Sequence, residues 1–166
     1  MRALAILAVF VACAGSLFAE IRIVRTTSQG KATTISTDVR ETSEGDGLRV
    51  QQKSEEGSVT TLLGGDGTVR STELLAKDGT IHMSSDGTAV TVSGTWKGKA
   101  VAGRCELKGL GFYGSGFEFA VRALARGGLQ SLKFPMINPA DPSKATVMEL
   151  AREGSDSFRG REAIKV

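Results

Sequence analysis

The chain has 166 residues, 40% of them hydrophobic but only 5% aromatic, with one histidine and two cysteines. Its formal charge of +3 is scattered rather than clustered, and no basic run is interleaved with aromatics, which argues against nucleic acid as a partner. With a single histidine, a His-based metal cluster and any His-dependent catalytic triad would both hang on His82.

Met1-Arg2-Ala3 leads into an apolar run from Leu4 to Ala14, then Gly15-Ser16-Leu17-Phe18-Ala19, before Glu20 opens the polar chain. One positive residue, a short apolar helix and a small residue ahead of a polar start are the marks of a secretory signal peptide, too short to span a bilayer comfortably. Cleavage is expected after Ala19, leaving residues 20–166 as a single domain in the periplasm or outside the cell, with no transmembrane span. Phe10-Val11-Ala12-Cys13 loosely resembles the box at which bacterial lipoproteins are cleaved and acylated, so lipidation of Cys13 is the alternative. With cleavage after Ala19 only Cys105 remains, and no intramolecular disulfide can form.

Glu20 to Arg25 and Lys31 to Arg40 read as strands on either side of Gly30, each with one weakly apolar face. Glu44-Gly45-Asp46-Gly47 and Glu55-Glu56-Gly57 turn the chain into Leu48-Arg49-Val50 and then Val59 to Leu63. Asp66-Gly67-Thr68, Asp78-Gly79-Thr80, Asp86-Gly87-Thr88 and Lys97-Gly98-Lys99 punctuate the strands that follow. Asp-Gly suits a two-residue hairpin loop because both central residues take φ > 0 there, so the repeats predict an antiparallel meander. In Ala89 to Trp96, Val90, Val92 and Trp96 share one face, and Thr91, Ser93 and Thr95 share the other. Ala100 to Leu107 is the next strand and carries Cys105.

Beyond Gly109 glycines and aromatics crowd together, and Ser115 with Glu118 forms a capping box for a helix whose Phe117, Ala120, Val121 and Leu124 lie on one face. Gly127-Gly128 ends it. The stripe is expected to plug the concave side or the open end of the meander. Leu129 to Ile137 reads as a strand stopped by Asn138-Pro139-Ala140-Asp141-Pro142. Ala145 to Arg152 and Phe158 to Val166 are expected to pair around Glu153-Gly154-Ser155-Asp156, and the pattern stops inside a strand, either tied into the sheet or continued by further strands in relatives.

Gly109-Leu110-Gly111-Phe112-Tyr113-Gly114 matches a dinucleotide-binding fingerprint in form, but hairpins rather than crossover helices surround it and no acidic residue follows at the expected distance. Close approach of helix and sheet is the better account of these glycines. The Asp-Gly repeats fall at unequal intervals, unlike the strict period of calcium-binding β-rolls, and are read as turns. His82 points away from Ile81 and Met83, Gly154-Ser155-Asp156-Ser157 lacks the spacing of a nucleophile elbow, and Glu55-Glu56 sits in a turn. No enzyme chemistry, metal or cofactor is expected. The aromatics Trp96, Phe112, Tyr113, Phe117 and Phe134, with Val121 and Leu124, either build the core or line an apolar cavity between sheet and helix suited to an acyl chain.

The signal peptide, the Asp-Gly hairpins, Trp96-Lys97-Gly98-Lys99, Phe112-Tyr113 before a short helix, and the closing Glu153 to Val166 together resemble a family of uncharacterised exported bacterial proteins. These are similar in plan to the periplasmic lipoprotein carriers of the LolA and LolB type. The resemblance implies a mainly β fold: a curved antiparallel meander, a half-open barrel around one short α-helix, and no catalytic residues. Two functions follow as expectations. One is an envelope protein binding a lipid or other apolar ligand between sheet and helix; the other is a scaffold that pairs with an envelope protein through exposed strand edges.

Overall fold

In the computed structural model the fold is described for residues 19–28, 31–114, 117–138, 141–158 and 161–165, with side chains described for 38–114, 117–138 and 141–154. The expected signal helix, Cys13, Gly30 and Ser115 lie outside the described residues.

The protein is mainly β, as the turn chemistry predicts. Eight antiparallel strands follow one another as neighbours in a single meander: β1 (Ala19–Ser28), β2 (Lys31–Glu44), β3 (Gly47–Ser54), β4 (Gly57–Leu63), β5 (Val69–Ala76), β6 (Gly79–Ser85), β7 (Ala89–Trp96) and β8 (Lys99–Glu106). Among the described residues no pairing joins β8 to β1, so the sheet is open.

Strand alternation separates an apolar inner face from a polar outer one. Register places Val50, Thr61, Thr72, Met83 and Val92 in one cross-strand row of the inner face, and Ile81, Gly94 and Val101 in the next. Nearly all of these are fully buried. The outer face is built from Thr60, Glu73, His82, Ser93 and Thr95, among others, and faces solvent wherever the inner partner is covered. His82 is exposed between buried Ile81 and Met83, and Val90, Val92 and Trp96 oppose Thr91, Ser93 and Thr95, as alternation requires.

The turns differ in detail from a uniform two-residue loop. Among the hairpin loops only Lys97-Gly98 has positive φ at both central residues, 50° and 74°; Lys108-Gly109, at 52° and 80°, repeats this in the turn after β8. Gly45 takes φ 61° at the first position of its loop, the place a type II′ turn gives to glycine. Asp66-Gly67-Thr68 and Asp86-Gly87-Thr88 are longer loops closed by the aspartate side chain. Asp66 Oδ1 accepts from the Thr68 amide at 3.0 Å and hydroxyl at 2.8 Å, and Asp86 Oδ1 accepts from the Thr88 amide at 2.8 Å and hydroxyl at 2.7 Å. The carboxylate replaces a backbone acceptor, so neither aspartate needs positive φ. In the remaining repeat Lys77-Asp78 forms the loop and Gly79 already belongs to β6.

A second layer covers the inner face. Residues 107–114 fold back across one end of it, burying Leu107 and Phe112, and the Val69 amide donates to the Phe112 carbonyl at 2.8 Å. Gly114 takes φ 89°, which favours glycine, while a Cβ there would meet only ordinary contacts, 3.8 Å from Phe119 and 3.9 Å from Val69, so this glycine serves the backbone turn rather than the expected close approach. Helix α1 (Glu118–Arg126) follows, with Phe117 at its N-cap and no side-chain capping bond. The Glu118 carboxylate accepts from Gln52 Nε2 on β3 and pairs with Arg122, while Ser115, the predicted cap, lies outside the described residues. The buried stripe is Phe119, Ala120, Val121 and Leu124; the predicted Phe117 is the N-cap, one residue before the helix. Gly128, φ 63°, terminates it as predicted, and Arg152 Nη2 donates to the carbonyls of Leu124 and Ala125 at its C-terminal end.

Strand β9 (Ser131–Ile137) pairs with β10 (Ala145–Ala151), and β11 (Gly154–Phe158) pairs with β12 (Arg161–Lys165). This corrects the expected pairing of Ala145–Arg152 with the last strand. The Pro-bearing loop turns β9 back onto β10, and Gly154-Ser155-Asp156 is strand rather than turn. On the inner face of β8, Gly103 leaves room for buried Pro142, which a Cβ would meet at 2.8 Å.

Candidate functional site

The second layer leaves one end of the inner face open. Across that end, register aligns Ser54, Gly57, Ala76, Gly79 and Trp96 in a single row spanning β3 to β7. Gly57 and Gly79 follow hairpin loops at φ 152° and 149°, and a Cβ on either would stand 2.1 or 2.0 Å from a carbonyl oxygen of the neighbouring strand. Glycine is therefore obligatory at both. Between Ser54 and Trp96 the row carries nothing larger than the Ala76 methyl, and a groove of about 380 Å³ results. Val59 and Leu74 of the adjoining row form its inner wall, with Gln52, and the Trp96 indole stands at its end. Four strand spacings of about 4.8 Å, from Ser54 to Trp96, make this channel about 19 Å long.

The helix borders the groove. Gln52, in its wall, donates to Glu118 at the first turn of α1, and Arg122 one turn on pairs with Glu41 of β2 at 2.6 Å and with Glu118 at 3.1 Å. The Arg122 guanidinium also lies 5.6 Å from the centre of the Phe119 ring. Only one charged side chain, Glu56, lines the groove itself. On the outer face a second depression, lined by Lys53, Glu55, Leu75 and Lys77, shares Ser54, Glu56, Gly57, Ser58 and Ala76 with it.

Of the residues singled out in the sequence, Trp96 lines this groove. Phe112, Leu124 and Phe134 are at most 1% exposed, and Val121 is buried with them. Phe112 belongs to the cluster beneath the sheet, while Val121, Leu124 and Phe134 are buried where the helix meets β9 and β10. Tyr113 and Phe117 both set their rings edge-on to Phe134 at 6.1 Å. Burial, and then the carboxylate of Asp66, push the Tyr113 hydroxyl above its ordinary pKa. Trp96, like Tyr113, packs against the cluster that holds Phe112 and Phe119, and of the aromatics singled out it is the one that also lines the groove. Sequence inspection missed Val59, Leu74 and Ala76; the available signal was Gly57 and Gly79 just after a turn, which becomes a floor only once register is known.

The Asp66 and Asp86 carboxylates are held below the usual carboxylate range, chiefly by bonds from Thr68 and Thr88 in their own turns. Among the described residues no group of three His, Cys, Asp or Glu is placed to hold a metal ion, and no helix is long and apolar enough to cross a membrane. Compared with protein-family models, with curated proteins and with solved structures, the chain matches none of them.

Proposed function

We propose that this is an exported, non-enzymatic envelope protein, freed of residues 1–19, which binds a lipid or other apolar ligand between sheet and helix in the groove that ends at Trp96. Sheet, helix and β9–β10 hairpin then act together as a half-open barrel, a plan like that of the lipoprotein carriers named above. The observation that carries the proposal is the row Gly57–Ala76–Gly79–Trp96, a floor with no side chain larger than a methyl until the indole. An alkyl segment laid along it gains about 0.8 kcal/mol per buried methylene. Roughly half a dozen methylenes then offset the several kcal/mol lost on association. The test is native mass spectrometry of the protein purified from its own envelope, beside the variant Ala76→Phe, whose ring fills the groove. A lipid-sized adduct on the wild type that is lost in the variant supports the proposal; clean apo masses for both refute it. The same spectra report export, as the mass of a chain starting at Glu20 or of one acylated at Cys13.

A scaffold function is favoured by a different observation. Strand β8 pairs only with β7, and the β11–β12 hairpin pairs only within itself, so both present strand edges to a partner among the described residues. It predicts a complex that survives Ala76→Phe and is lost when proline replaces Ala102 on β8.

A further inference from the structure

Resting on the groove as the binding site, we infer that it selects amphiphiles by head-group charge, taking a cationic head in preference to an anionic one. The channel is asymmetric. Its closed end is the Trp96 indole, and its other end is the β3–β4 turn, where Ser54, Glu56 and Ser58 stand. A linear chain with its tail against Trp96 puts its head beside the Glu56 carboxylate. The Ser54 hydroxyl is engaged within the turn, accepting from the Glu56 amide at 3.3 Å. Gln52 is engaged with Glu118, whose carboxylate is in turn neutralised by Arg122. Glu56 is thus the one charged group on the lining.

The neighbouring cations lie outside it. Lys99 comes next in the same cross-strand row, beyond Trp96, and is not part of the lining. Lys53 and Lys77 line the outer depression alongside Glu55, and Glu56 belongs to both linings, at the turn where they meet. An anionic head therefore meets a like charge at the mouth with no cation on the lining to offset it, whereas an ammonium meets its counter-ion. Because Glu56 is exposed, the preference is that of a solvated ion pair, up to about fivefold at low salt, and it fades as ionic strength rises.

Trp96 is the only tryptophan, so its fluorescence reads the groove directly. The experiment titrates the full mature chain with decyltrimethylammonium, decyl sulfate and decyl maltoside below their micelle concentrations, in wild type, Glu56→Gln and Ala76→Phe. The expected result is tighter binding of decyltrimethylammonium than of decyl sulfate by about fivefold in the wild type, equal binding of the two in Glu56→Gln, and no binding in Ala76→Phe. Equal binding of the two ions in the wild type, or a preference for the sulfate, overturns the charge selection while leaving the groove as a binding site. A preference that survives in Glu56→Gln overturns the role of that residue. If none of the three shifts the fluorescence, or if Ala76→Phe binds like the wild type with an unchanged circular dichroism spectrum, the groove itself is not the site and both proposals fall.

Discussion

Replacing Arg122 by methionine tests how the helix is held on the sheet. Methionine keeps most of the aliphatic stem, so the change removes the guanidinium and little packing. Three contacts go with it: Glu41 on β2 at 2.6 Å, Glu118 at 3.1 Å, and the face of Phe119 at 5.6 Å. The Arg122 side chain is 10% exposed, and those of Glu41 and Glu118 are 32% and 24%. Exposed pairs contribute up to about 1 kcal/mol, whereas breaking a buried pair costs about 3 to 5 because a charge is stranded. Burial here is intermediate, so the loss should be about 2 to 3 kcal/mol, or a melting temperature lower by roughly 5 to 10 °C. Glu41→Gln, which removes one partner at the more exposed side, should cost about 1 kcal/mol. The double variant should fall short of the two losses together by about 1 kcal/mol, since the Glu41–Arg122 pair can be broken only once. Urea unfolding of the four proteins measures all of this, with the slope against urea checked for constancy. An Arg122→Met protein within about 0.5 kcal/mol of wild type would show that apolar burial of Phe119 alone docks the helix.

Thr61 and Thr72 face each other in the core with hydroxyl oxygens 3.4 Å apart, so Thr61→Val alone should cost about 1 to 2 kcal/mol by stranding its partner, while the double change to valine should be nearly neutral in urea unfolding. Asp86 is held below the carboxylate range first by the Thr88 hydroxyl and then by the amides of Ala89 and Thr88. A depressed folded-state pKa gives stability that is present above the ordinary value of 3.8 and is lost as pH falls through the folded value, so acid unfolding below that pH should be less steep in Asp86→Asn than in wild type. Gly79→Ala should cost more than about 2 kcal/mol, because the new Cβ meets the Thr95 carbonyl oxygen at 2.0 Å and φ is 149°. Gly67→Ala is the control: φ is 81°, but open space surrounds the position, and the loss should be about 1 kcal/mol, read as the difference in melting temperature.

Local chemistry made the meander legible. Alternation of Val90, Val92 and Trp96 against Thr91, Ser93 and Thr95 fixes which side of β7 is buried, and turn residues at nearly every strand end fix the antiparallel order. Where two local signals competed, the sequence was a poorer guide. Gly154-Ser155-Asp156 has turn composition but extends as β11, because β10 had already been taken by β9, a pairing between segments separated by the Pro loop. Glu118, read in the sequence as half of a local capping box, accepts from Gln52 some sixty residues earlier in the chain, a tertiary bond that no local spacing announces.

The groove was hidden for a related reason. No segment of the chain is groove-like by itself: Gly57 and Gly79 follow loops for conformational reasons, Ala76 merely ends a strand, and Trp96 precedes a turn. A cavity appears only because the loops, two-residue and Asp-closed alike, set a register in which three small residues fall side by side and one large one follows. The same backbone crowding that forbids a Cβ at Gly57 and Gly79 thus keeps the floor bare. Structure and binding surface then make one demand on these positions, and they can be separated only at Ala76, where a side chain is sterically permitted. Ala76→Phe should therefore fill the groove while leaving urea stability within about 1 kcal/mol of wild type; a large loss there would mean that the row is packed core rather than an open channel.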